Sequence, residues 1–181
     1  TVEDGSKIVR ELTSAGDYLF MTPEQLYKQS DLVVIGRFTG NKGSFVESQG
    51  RIKTNAELSV DSILKGESTE KTIRVVLNGG IVPFSDYYAT FDQGSQEKMG
   101  VDIAAIKSSD LVRSFQGLNQ ADPLFDHPYL IFLGKMDDGS RYFLGSDAYS
   151  MLEVKDGSYL DRTTNEWSLM TKLSESAAAK Q

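Results

Sequence analysis

The chain has 181 residues, within the roughly 100–200 residues of one domain, and at that size a fold buries enough surface to need no covalent staple. Its 39% hydrophobic and 25% charged residues exclude wholesale disorder, collagen and coiled coil. With 19 basic against 26 acidic residues the net charge is -7, which argues against a nucleic-acid partner, because that affinity comes largely from cations set on phosphates.

Residues 1–21 are polar, and Ile8, Val9 and Leu12 fall at helical spacing, which predicts a short helix over 6–14. The order at Thr1 is polar and acidic, so no leader is visible there, and without an initiator Met the numbering is compatible with a leader already removed. Thr22-Pro23-Glu24-Gln25 reads as a capping box with Pro at the first helical position, opening a helix over 23–29 that turns Leu26 inward. Asp31 to Thr39 reads as a strand covered on both sides, with Leu32, Val34 and Phe38 on one face and Val33 and Ile35 on the other.

Gly40-Asn41-Lys42-Gly43 supplies turn residues before the cleanest alternation in the chain. From Ile52 to Leu64, Ile52, Thr54, Ala56, Leu58 and Val60 point one way, with Lys53, Asn55, Glu57, Ser59 and Asp61 on a wet outer face. Ile73, Val75 and Leu77 make a third strand ending at Asn78-Gly79-Gly80. Residues 81–127 lose this periodicity and read as one long insertion, with a short helix over 109–115. A central strand follows at Tyr129-Leu130-Ile131-Phe132-Leu133. Asp137-Asp138-Gly139-Ser140 turns into Arg141–Leu144, and a strand over 149–154 meets a second hairpin signal at Lys155-Asp156-Gly157-Ser158. A helix over 166–174 and a frayed tail from Ser174 complete the reading.

The pattern predicts an all-β fold with minor helices: an antiparallel, partly open barrel of OB type, or a compact β-sandwich, carrying a long excursion. It reads as one domain over 1–181. A helical lead-in spans 1–30, the barrel 31–80 and 128–160, the insertion 81–127 and a polar tail 161–181. The expected core includes Leu32, Val34, Leu58, Val60, Val75, Leu130, Phe132 and Leu144. The apolar runs at 32–35 and 129–133 fall far short of the roughly 20 residues of a membrane span, which leaves room for a lipid anchor upstream of residue 1.

The order from Ser30-Asp31-Leu32-Val33-Val34-Ile35-Gly36, through Val60-Asp61-Ser62-Ile63-Leu64-Lys65-Gly66 and Ile73-Arg74-Val75, to Asn78-Gly79-Gly80-Ile81-Val82-Pro83 and Tyr129–Leu133 resembles a group of small exported proteins and lipoproteins of Gram-positive bacteria. The resemblance spans residues 22–160. It implies a β-barrel-like fold and an extracytoplasmic location, and it carries over no catalytic residue.

Candidate chemistry is sparse. The absence of cysteine removes thiol nucleophiles, zinc ribbons and disulfides, and the single His127 removes imidazole metal clusters. A Ser-His-Asp set would need His127, whose neighbour Asp126 points away on an extended segment, and no Gly-x-Ser-x-Gly elbow occurs. Asp137, Asp138 and Asp156 mark turns, Glu57 and Asp61 a wet face, and no calcium-loop pattern is present. Asn78-Gly79-Gly80 is either a turn or a small anion cradle.

The remaining feature is Tyr87-Tyr88-Ala89-Thr90-Phe91. Tyr87, Tyr88 and Phe91 are the candidate binding residues; their rings either form a contact surface or plug one barrel end. No catalytic residue, metal or cofactor is assigned. These readings suggest a monomeric, non-enzymatic extracytoplasmic binding or interaction module for a protein or small-molecule ligand. The alternative is a small carboxylate-dependent hydrolase of the cell envelope.

Overall fold

β-Structure dominates, at 51% strand against 23% helix, in a computed structural model that describes residues 6–13, 20–115, 126–144 and 147–178. In chain order the strands are β1 (Lys7–Thr13), β2 (Leu32–Glu47), β3 (Arg51–Lys65), β4 (Thr72–Asn78), β5 (Gly80–Pro83) and β6 (Asp110–Phe115), followed by β7 (Pro128–Lys135), β8 (Arg141–Phe143), β9 (Met151–Lys155), β10 (Ser158–Asp161) and β11 (Glu166–Leu169). The helices are α1 (Pro23–Gln29), α2 (Phe84–Ala89), α3 (Gln93–Met99), the single turn α4 (Asp147–Ser150) and α5 (Thr171–Ala178). Among the described residues, no helix is long and apolar enough to cross a membrane.

The chain divides into two compact units. The larger comprises Asp17–Lys42, Ala56–Leu77 and Leu118–Gln181; the smaller comprises Thr1–Gly16, Gly43–Asn55 and Asn78–Gly117.

In the larger unit the strand order β7-β2-β3-β4-β8 returns from β8 to β7, a ring-like pattern that stops short of a closed barrel. β7 runs antiparallel to both β2 and β8, whereas β4 and β8 are parallel over the short seam Val75↔Arg141 and Val76↔Tyr142. This ring-like but unclosed β arrangement agrees with the partly open barrel expected from the strand pattern. β7 also pairs with β9, and the sheet continues through β10 to β11.

Because β2 and β7 are apolar on both faces, each feeds two cores. Leu32, Val34, Phe38, Ile131 and Leu133 join Ala56, Leu58 and Val75 in one cluster. Val33, Leu130 and Phe132 join Leu26 of α1, Tyr159 of β10 and Leu173 of α5 in the other. Of the expected core, Val60 and Leu144 are only partly buried, and the rest are fully inside. The α1 capping box forms as its sequence requires. Thr22 Oγ1 accepts from the Gln25 amide at 3.3 Å, while the Thr22 amide donates to Gln25 Oε1 at 2.9 Å.

Buried Tyr159 sits opposite Ser168 across the β10–β11 pair. Burial pushes its hydroxyl up to about 12; the carboxylates of Glu24 and Asp161 add to the shift, and the hydrogen bond with Ser168 opposes it. An unfolded tyrosine ionises near 10.0, so between that pH and about 12 the unfolded chain releases a proton that the folded chain retains. Stability should therefore be fully present below pH 10 and fall by about tenfold in the folding equilibrium per pH unit through that window. Denaturant midpoints of Tyr159→Phe across the same range should show a flatter decline than wild type; an unchanged slope would rule out this residue as the cause.

Several local expectations are corrected. Residues 7–13 form a strand rather than a helix, paired in parallel with β6 and bulged between Ile8 and Arg10. Residues 110–115 likewise form the central strand of the smaller unit's sheet, in the order β1-β6-β5. Here cross-strand pairing overrides a weak helical spacing. Gly40–Gly43 does not end the strand; β2 runs on to Glu47 and the chain reverses at Ser48–Gly50. The expected helix over 166–174 divides into β11 and α5, and buried Leu173 anchors the segment read as a frayed tail. The insertion holds β5, α2, α3 and β6, while residues 116–125 lie outside the described residues.

Candidate functional site

The smaller unit builds its site from the β2–β3 reversal upward. Gln49 and Gly50 have φ of 61° and 71°, the successive left-handed pair that a tight hairpin turn of the primed type demands. A side chain at Gly50 would meet the Phe91 and Tyr87 rings at 2.5 and 2.6 Å, so the turn lies directly against those aromatics. The Gly50 amide donates to Thr90 Oγ1 at 3.0 Å.

The aromatic segment is held from the other side by α3. Asp92 caps this helix, and the amide and hydroxyl of Ser95 hold its carboxyl below the usual carboxylate range. The Gln96 side-chain amide reaches back to the carbonyls of Tyr88 and Phe91 at 3.1 and 3.0 Å. Tyr87 is 5% exposed and packs with Ile52, Val82, Phe84 and Val112, with Tyr88 and Phe91 partly buried against the same cluster. The Phe91 ring meets Tyr87 edge-on at 5.0 Å, and the Arg10 guanidinium lies 5.9 Å from the Tyr87 ring centre. The three candidate rings thus form one wall of the smaller unit's own core.

Beside that wall runs a groove of about 390 Å3, lined by Leu12, Ile52 and Tyr87 with Gln49, Gly50, Arg51, Lys53, Asn78, Gly79 and Ser114. Its volume lies within the range of small-molecule sites, roughly 300–1,000 Å3. Of the three candidate residues only Tyr87 lines it. Lys53 Nζ donates to Asn78 Oδ1, and the Gly79 amide donates to the Ile52 carbonyl at 2.9 Å, fixing the β4–β5 turn against β3. Sequence reading placed Lys53 on a wet strand face and left Asn78-Gly79 between turn and cradle. Both lie on the groove, joined by residues too far apart in sequence to be linked by any local pattern.

A second cleft, about 620 Å3, lies in the larger unit among Glu67–Glu70, Arg74, Lys135 and Asp138–Arg141. Arg74 pairs with Asp138 at 2.6 Å. The Ser140 hydroxyl and amide, then Arg74, hold the Asp138 carboxyl below its usual range. His127 packs against Tyr129 with ring centres 5.1 Å apart. Among the described residues, no three His, Asp or Glu side chains converge to hold a metal ion.

Comparison of the chain with protein-family models, with curated proteins and with solved structures finds no match.

Proposed function

We propose that this chain is a non-enzymatic binding module, monomeric and extracytoplasmic, whose ligand occupies the groove beside Tyr87. The observation that carries the reading is the composition of that groove: apolar Leu12 and Ile52 and the single ring of Tyr87, combined with a few polar side chains, as in sites that bury a small ligand and orient it. The turn at Gln49–Gly50 and the capped α3 hold the wall in place, so the site is pre-formed rather than assembled on binding. The resemblance of residues 22–160 to exported Gram-positive proteins supports the extracytoplasmic location, which fractionation of the producing cells would test.

Charge pairing in the larger unit supports a partner other than nucleic acid. Arg37 pairs with Asp61 at 2.9 Å, Lys42 with Glu57 at 2.9 Å and Arg74 with Asp138 at 2.6 Å. A phosphate track needs its cations uncommitted.

The hydrolase reading would use the 620 Å3 cleft, where Glu67, Glu70 and Asp138 gather. The Ser140 and Arg74 contacts favour the ionised form of Asp138, which suits a base or nucleophile better than a proton donor. A small-molecule screen read by backbone amide shifts should therefore concentrate its hits at Gly50, Ile52, Gly79 and Ser114. Hits gathered at Ser140 and Arg141 instead, with aryl-glycoside hydrolysis that Asp138→Asn removes, would replace the binding reading by the enzymatic one.

A further inference from the structure

We propose that the groove takes an organic anion, its apolar body against Leu12, Ile52 and Tyr87 and its anionic group at Lys53. This rests on the groove being the ligand site and names the class of ligand it selects. The lining carries two cations, Arg51 and Lys53, and no carboxylate, in a chain whose net charge is -7. The 620 Å3 cleft, by contrast, sets Glu67, Glu70 and Asp138 against Arg74, Lys135 and Arg141. Of these two clefts, only the groove has a lining with more cationic than anionic side chains.

Lys53 is the cation that matters. Arg51 is exposed and has Glu47 at 3.8 Å. Lys53 is half-buried, and its hydrogen-bond partner is the neutral side-chain oxygen of Asn78. Among the described residues no carboxylate lies within 4.0 Å of its ammonium, although carboxylates neutralise Arg37, Lys42 and Arg74 elsewhere. A partly desolvated charge facing only an amide is incompletely compensated. An anion supplies the missing charge-assisted hydrogen bond, roughly twice as strong as a neutral one. Asn78 then acts as a positioning residue, holding the ammonium on the groove wall. A carboxylate on an aromatic or branched apolar body meets both halves of the site.

The test titrates the full chain with phenylacetate and, separately, with its uncharged amide, phenylacetamide, at constant ionic strength, following backbone amide signals. Phenylacetate should shift Gly50, Lys53 and Gly79 saturably, at least about tenfold more tightly than phenylacetamide, a difference of about 1.4 kcal/mol. Lys53→Gln should abolish that preference and Lys53→Arg should keep it. Equal affinities for the two probes, or a preference that survives Lys53→Gln, would overturn the anion assignment and leave the groove as a binding site. If neither probe shifts those amides, both the assignment and the groove's role as the binding site fail.

Discussion

Truncation of Phe132 to Ala is expected to lower the unfolding free energy by about 3–5 kcal/mol. The side chain is fully buried and lies opposite Val33 in the β2–β7 register. Its cluster includes Leu26, Leu152, Tyr159 and Leu173, drawn from two helices and two other strands, so none can collapse into the vacated volume without moving its own element. The loss is a large fraction of the roughly 5–15 kcal/mol by which domains exceed their unfolded state. The chain's single tryptophan, Trp167, sits on β11 in the larger unit and reports on that unit directly. Urea unfolding followed by its fluorescence should show a lower midpoint with an unchanged slope. A midpoint within error of wild type would refute the placement of Phe132 in the core.

Gly50→Ala should be nearly as damaging, for two separable reasons. The backbone at φ 71° lies in the left-handed region, costing a β-carbon about 1–2 kcal/mol. That carbon would also stand 2.5–2.6 Å from the Phe91 and Tyr87 rings, an overpacking worth about 1–3 kcal/mol. Gly50→Asn separates the two: asparagine tolerates the left-handed region, yet it meets the same rings and should recover only the smaller part. The readout is amide hydrogen exchange at Ile52, Val82 and Val112, which share the cluster with Tyr87. Protection at these sites equal to wild type in Gly50→Ala would show that the turn does not press on the aromatic wall.

How much of this was legible in the sequence follows from how local each signal is. Alternation from Ile52 to Val60 revealed β3, and two-sided apolar runs revealed β2 and β7, because strand periodicity is written in adjacent residues. Asp156-Gly157 was readable as a turn, with φ of 50° and 74°. The β2–β3 reversal was not, because Gln-Gly does the work usually done by Asn-Gly, while Gly40-Asn41-Lys42-Gly43 carried the stronger composition and lies within a strand. β1 and β6 were misread because each takes its conformation from the other, across about 100 residues of intervening chain. The groove failed to emerge for the same reason: Tyr87 stood out as part of an aromatic cluster, but Lys53, Asn78 and Ser114 acquire meaning only when β3, β4 and β6 are brought together.

The β1–β6 ladder also carries a consequence for the order of events on a nascent chain. Lys7 registers against Asp110, so β1 cannot pair with β6 until about 100 further residues have been made, some 5–20 s at ordinary elongation rates of roughly 5–20 residues per second. Through that interval its backbone donors and acceptors are an open template for foreign strands. Lys7, Arg10 and Glu11 are exposed along it, and charged side chains of this kind discourage edge-to-edge association. The charged side chains of β1 thus guard an edge whose partner strand is made about 100 residues later.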